Sequence, residues 1–176
     1  QRVVQLQEEL EYEREQLHKF SSELAISNQR LQQLALTDPL TNLPNRRFAN
    51  EHLERQWALA QRNSSPLSCM MVDIDYFKQV NDRHGHAAGD NVLVAFSRRI
   101  ERELRQGDIF ARYGGEEFML VMPITDLDAA LHLANRILGE IAGTPLIDQP
   151  IPFNITASFG VAQLRSGEAV EDWLNR

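Results

Sequence analysis

Residues 1 to 36 carry leucine at a fixed interval. Leu10, Leu17, Leu24 and Leu31 recur every seven residues, Val3 extends the series backwards, and Leu6, Phe20 and Leu34 fill a companion position. No Gly or Pro interrupts this stretch. Apolar positions spaced alternately by three and four residues predict one long helix that pairs with a copy of itself as a parallel coiled coil. Glu13 and Ser27 break the companion series, and a seam weakened in this way suits a helix that transmits signals by shifting register.

The pattern stops at "LTDPLTNLPNRRF" (36–48). Pro39 and Pro44 are incompatible with a helix interior, and Thr37, Asp38, Thr41 and Asn42 are turn and cap formers, so a hinge to a globular domain (37–176) is expected. Helix resumes over about 45–62 on Phe48, Leu53, Trp57 and Leu59. The run "PLSCMMVDID" (66–75) reads as a strand buried on both faces and ending in acids. Residues 77–106 begin as a helical turn and pass through a loop at Gly85 and Gly89. They then form a long helix on Val92, Leu93, Phe96, Ile100 and Leu104, with Gly107 as its C-cap. "DIFARY" and "EEFMLVMP" are strands on either side of Gly114 and Gly115. An amphipathic helix over 126–143, a strand over 153–164 and the start of a last, incomplete helix at "AVEDWLN" follow. Strands and helices in this order predict an α/β (α+β) domain, a mixed but mainly antiparallel sheet flanked by helices.

Composition narrows the function. The 176 residues carry a net charge of −7, which disfavours tight nonspecific binding to DNA or RNA while leaving room for one nucleotide held by local cations. The single cysteine, Cys69, sits in an apolar strand and reads as a small buried hydrophobe. There is no apolar run of membrane-spanning length and no signal peptide. The chain starts at Gln1, which suggests a piece of a longer protein.

The chemistry concentrates at two places. Asp73 and Asp75 end the first long strand, and residues two apart on a strand face the same way. Glu116 and Glu117 follow the glycines of "RYGGEEF" and, being adjacent, point to opposite faces, so only one of them can join the aspartates. A carboxylate pair at a sheet edge favours Mg²⁺ or Mn²⁺. Asp73 is the candidate ligand, and Asp75 is a cap of the following helix or a support. Gly-Gly is an ordinary hairpin turn signal, but it also allows another molecule close to the backbone. Lys78 at the start of a helical turn suits a phosphate. Asn81 and Asp90, flanking "RHGHAAG", can read a guanine edge, although each alone is an ordinary loop cap.

Together, "LTDPLTNLPNRR", "DIDYFKQVNDRHGHAAGD", "RYGGEEF" and "ITASFGVA" resemble the GGDEF family of diguanylate cyclases in its GGEEF variant, over nearly all of 36–164. The resemblance implies a palm-like fold, as in nucleotidyl cyclases and polymerases. It implies that two GTP-loaded domains meet face to face as a homodimer and make cyclic di-GMP. It also implies that Asp73, the Ile74 carbonyl and Glu117 bind two Mg²⁺ or Mn²⁺ ions per site, with Glu116 near the ribose 3′-hydroxyl. Gly114 and Gly115 would leave room for the nucleotide. Lys78 and the backbone of Tyr76 and Phe77 would hold phosphates, and Asn81 and Asp90 would hold guanine. In "RQGD", Arg105 and Asp108 match the family's Arg-x-x-Asp inhibitory site for product, with Arg136 and, from a neighbouring domain, Arg62 in support. A cytoplasmic enzyme under an upstream sensory or receiver domain is expected. The reading from another class is a catalytically weak module that serves as a receptor for cyclic di-GMP or GTP.

Overall fold

The computed structural model describes residues 2–143, 145–146 and 154–176, and within the first helix the side chains of 2, 13–28 and 36. The chain divides into two units, Gln1–Ala35 and Leu36–Arg176.

The first unit is one helix, α1 (Arg2–Leu36, 35 residues). Leu17, Phe20 and Leu24, members of the heptad series, are 71%, 66% and 52% exposed. Val3, Leu6, Leu10, Leu31 and Leu34 lie outside the described side chains. Among the described residues, no helix is long and apolar enough to cross a membrane.

In the second unit the order is α2 (Arg46–Asn63), β1 (Leu67–Ile74), α3 (Phe77–His84), α4 (His86–Glu101), β2 (Ile109–Arg112), β3 (Glu117–Pro123), α5 (Leu127–Gly143), β4 (Ala157–Gln163) and α6 (Val170–Leu174). The strands form a four-stranded sheet in the order β2-β3-β1-β4. Among the described residues every pairing between these strands is antiparallel, with one isolated parallel bridge from Asn45 to Arg112, in keeping with the mainly antiparallel sheet flanked by helices expected from the sequence. β2 and β3 form a hairpin, while α3 and α4 link β1 to β2 and α5 links β3 to β4, each helical link crossing over one antiparallel strand to join two strands that run in the same direction.

The alternation along β1 and β3 splits the core. Met70, Val72, Ile74, Phe118, Leu120 and Met122 face one side, where Val92, Phe96 and Ile100 of α4 and Ala130, Ala134 and Ile137 of α5 cover them. Leu67, Cys69, Met119 and Val121 face the other side, beneath Ala49, Leu53 and Ala60 of α2 and Trp173 of α6. Burial in this layer pushes the Cys69 thiol up to about 12, which keeps it protonated and unreactive.

Two local expectations change. Gly89 lies inside α4 rather than in a loop, and the break between helices is Gly85 alone, at φ 84°. Gly107 is not the C-cap of α4, which ends at Glu101 with Arg102 as cap. Gly107, at φ 104°, instead shapes the turn in which the Asp108 amide donates to the Arg105 carbonyl at 3.2 Å.

Candidate active site

The pairing register decides which glutamate joins the aspartates. Asp73 lies directly across from Glu117 at the joined ends of β1 and β3. Both occupy odd positions, on the face of their strands shared with Cys69, Met119 and Val121. Glu116 lies in the connecting loop, where its carbonyl accepts from the Ile74 amide at 3.3 Å.

That loop is tight. The Tyr113 and Gly114 amides both donate to the Glu117 carbonyl, at 2.8 and 3.1 Å. A Cβ at Gly114 would lie 2.5 Å from Glu117 Oε2. A side chain at 114 would therefore displace the Glu117 carboxylate, which lies against the backbone of its own loop. A Cβ at Gly115 would meet nothing, so that position stays open towards any molecule above the loop.

The electrostatics are one-sided. Burial raises the Asp73 carboxyl above its ordinary value, and the charges of Glu116, Glu117 and Asp75 raise it further. Asp75 is held below the usual range by hydroxyl donors, Thr156 Oγ1 at 2.6 Å and Ser158 Oγ at 2.7 Å. It is thus a support tied to β4 and not the cap of α3. Tyr76 fills the cap position at φ 57° with no side-chain cap bond.

All the donors at this edge are hard oxygens, and all the groups acting on Asp73 are acids. A divalent cation fits this donor set. Among the described residues, no group of three or more His, Cys, Asp or Glu side chains is arranged to hold a metal. The expected set uses two carboxylates and the Ile74 carbonyl.

Beyond the acids the chain turns into α3. Tyr76 is 75% exposed, whereas the Phe77 ring is buried in the core, so Phe77 offers a ligand only its backbone. Lys78 is exposed in the first turn of α3, where helix amides lack intrahelical partners. Asn81 and Gly89 belong together: a Cβ at Gly89 would fall on Asn81 Oδ1 and within 3.1 Å of the Phe77 ring. The glycine leaves room for the Asn81 amide against α4, one residue from exposed Asp90.

Arg105 and Asp108 form an ion pair at 3.2 Å. With Glu103 and Arg136 they line a cavity of about 280 Å³ between the end of α4 and α5. Arg62 is exposed in the last turn of α2 and does not line this cavity.

Sequence reasoning gave no role to three groups that the structure brings in. Arg112 joins Asp38 to Gly115, Thr156 and Ser158 hold Asp75, and Glu103 holds Arg136. The first was within reach, since Asp38 and Arg112 both stand inside motifs already singled out.

A single antiparallel sheet covered by helices on both faces, with acids gathered where its two central strands end, defines a palm-type domain. The chain belongs to the GGDEF-domain family: the family model described as "Diguanylate cyclase, GGDEF domain" matches residues 35–176. The diguanylate cyclase DgcP of Pseudomonas aeruginosa is 43% identical over 139 residues, which is 79% of this chain and 21% of that protein. The crystal structure of the diguanylate cyclase SiaD from P. aeruginosa in complex with its activator SiaC matches with a TM-score of 0.77 at 35% identity, covering 99% of this chain and 67% of that one. The coiled coil and GGDEF domain of DgcB from Caulobacter crescentus, in complex with c-di-GMP, matches with a TM-score of 0.81 at 29% identity, covering 92% and 87%.

Proposed function

We propose that this chain is the catalytic module of a diguanylate cyclase that joins two GTP molecules into cyclic di-GMP. The observation that carries this reading is Asp73 in register with Glu117, beside a glycine loop against whose backbone at 114 the Glu117 carboxylate lies. In each half of the reaction a ribose 3′-oxygen bonds to the α-phosphorus of the other GTP. The bond from that phosphorus to the departing pyrophosphate breaks, and the hydroxyl proton is lost.

Within this reading, Glu116 accepts a hydrogen bond from the 3′-hydroxyl. Lys78 and the amides of 76–78 hold phosphates, Asn81 and Asp90 hold guanine, and Gly114 and Gly115 leave space for the nucleotide. Asp73, the Ile74 carbonyl and Glu117 would hold a pair of Mg²⁺ or Mn²⁺ ions, which when bound acidify the attacking hydroxyl and neutralise charge at the phosphate. Asp75, fixed by two hydroxyls, keeps the end of β1 in place.

One domain offers one nucleotide site, so two copies must meet. The heptad series over 1–36, with its exposed Leu17, Phe20 and Leu24, supports pairing through α1, which leaves 37–176 as the cyclase domain. Arg105, Asp108 and Arg136, with Arg62 from the second copy, form the product-binding inhibitory site. A GTP-using enzyme of this kind works in the cytoplasm, under a signal-receiving segment elsewhere in its chain.

The test is incubation of the chain with GTP and Mg²⁺, followed by chromatography for cyclic di-GMP. Product formation that is lost in Asp73→Ala and Glu117→Ala is the expected result. Binding of cyclic di-GMP without any turnover would replace the enzyme by the receptor reading.

A further inference from the structure

The two arginines of the 280 Å³ cavity are held in different ways. Arg105 is part of the scaffold. Its Nε donates to Asp108, whose side chain is only 3% exposed. Its Nη2 donates to the Pro123 carbonyl and to Thr125 Oγ1, both at 2.6 Å. Those acceptors flank Ile124, a β-branched residue in a left-handed conformation at φ 51°, so Arg105 braces a strained turn.

Arg136 has no such scaffold. It reaches from α5 to Glu103, donating through Nε to the carboxylate at 2.6 Å and through Nη2 to the carbonyl at 2.7 Å. Its side chain is 57% exposed, much as that of Arg105 is at 58%, but its partner Glu103 is 23% exposed where Asp108 is 3%. A side-chain ion pair this open to water is worth little and is readily exchanged, and the two non-bridging oxygens of a phosphate offer a guanidinium a two-pronged acceptor as a carboxylate does.

We propose that Glu103 is an affinity-setting residue, a built-in carboxylate that occupies Arg136 and competes with the phosphate of an incoming nucleotide. The inference rests on the reading of this cavity as the product site. Binding there exchanges the Glu103 carboxylate for a ligand phosphate on Arg136. That exchange gives up the Arg136–Glu103 ion pair, so the affinity is lower than the arginines alone would give. Inhibition then begins at a higher product concentration than in a chain with a neutral residue at 103.

Titration calorimetry with cyclic di-GMP tests this on the wild-type chain, Glu103→Gln, Arg136→Ala and the double variant. Glu103→Gln keeps the size of the side chain and the backbone acceptor but removes the charge. We expect it to bind about fivefold more tightly than wild type, the range of one partly exposed ion pair. In the Arg136→Ala background the same change should do almost nothing, because its effect is routed through Arg136. If wild type binds and Glu103→Gln binds equally or more weakly, the competition is refuted while the product site stands. An equal gain with and without Arg136 also refutes it, because the effect would then be general charge. If neither wild type nor Glu103→Gln binds, the reading of the cavity as a product site falls, and this inference falls with it.

Discussion

Arg112 ties Asp38 to the glycine loop. Its Nη1 donates to both Asp38 carboxylate oxygens at 3.1 Å, while its Nε and Nη2 donate to the Gly115 carbonyl at 3.1 and 2.8 Å. The backbone follows the same line, with the Arg112 amide donating to the Pro44 carbonyl at 2.9 Å. The segment that follows α1 is therefore fastened, through one guanidinium, to the loop in front of Glu116 and Glu117.

This bridge is three-quarters or more shielded on both sides, at 16% and 17% side-chain exposure. We expect Asp38→Asn to cost about 2 kcal/mol, because it leaves a charged donor short of its partner. GTP turnover should fall about tenfold as the loop loosens. Burial raises the Asp38 carboxyl, but bonds from Thr41 and from Arg112 outweigh it and hold it below the usual 3.8. A depressed carboxyl contributes stability above its unfolded value and loses it as pH falls through its folded value. Urea midpoints measured between pH 7 and pH 3 should therefore fall less steeply for Asp38→Asn than for wild type. Parallel slopes would show that the bridge contributes no linkage.

Asp73 carries the opposite sign. Its raised carboxyl favours the fold only below the ordinary 3.8, and this contribution is lost as pH rises through the raised folded value. At neutral pH the charge therefore opposes folding. Asp73→Asn should abolish turnover and raise the melting temperature by roughly 1–3 °C, a discounted gain because the group is near solvent. A lower melting temperature would mean that Asp73 holds the strand ends together rather than straining them.

The register explains why part of this site was legible in the sequence and part was not. A strand period of two shows that Asp73 and Asp75 share a face and that Glu116 and Glu117 do not. It does not say which glutamate is the partner, because that depends on β1 pairing with β3 across more than forty residues of intervening chain. Tertiary pairing set Asp73 against Glu117. The same limit hid the role of Asp75: Thr156 and Ser158 reach it only because β4 runs alongside β1. Gly89 was misplaced for a local reason. Its neighbour Gly85 ends α3 as a glycine often does, and two glycines four residues apart read alike, yet only Gly85 has a left-handed φ. The heptads of α1 and the apolar strands were plain because each repeats one short period many times.

Gly89 offers a test that separates helix propensity from fit. Alanine is favoured over glycine inside a helix by about 1 kcal/mol, so Gly89→Ala should stabilise α4 if nothing stood in the way. The Asn81 amide does stand there. We expect Gly89→Ala to gain no stability and to raise the KM for GTP about tenfold, by displacing a group that reads guanine. In an Asn81→Ala background the same substitution should recover most of the helix gain, because the obstacle is gone and only the Phe77 ring remains to adjust. Denaturation of all three variants, with GTP kinetics of the first, checks both halves. A Gly89→Ala protein with unchanged KM would remove Asn81 from the guanine site.

The last test concerns α1, where exposure separates a role inside one chain from a role between chains. Leu17 and Leu24 are 71% and 52% exposed, so Leu17→Ala and Leu24→Ala should change the melting of the 36–176 unit by less than about 0.5 kcal/mol. If these leucines instead form the seam between two copies, each loses a buried contact twice in the dimer, and together they should weaken association by about 2–4 kcal/mol. Turnover depends on two sites meeting, so the helix acts by raising their effective concentration. Activity of the double variant should therefore collapse on dilution and recover at high protein concentration, where wild type is nearly independent of concentration. Deleting 1–34 should reproduce that behaviour. Sedimentation equilibrium of the wild-type chain, the double variant and the deletion gives the dimer constants directly. Equal constants for all three would leave the heptad series without a partner and would assign dimer formation to the 36–176 unit alone.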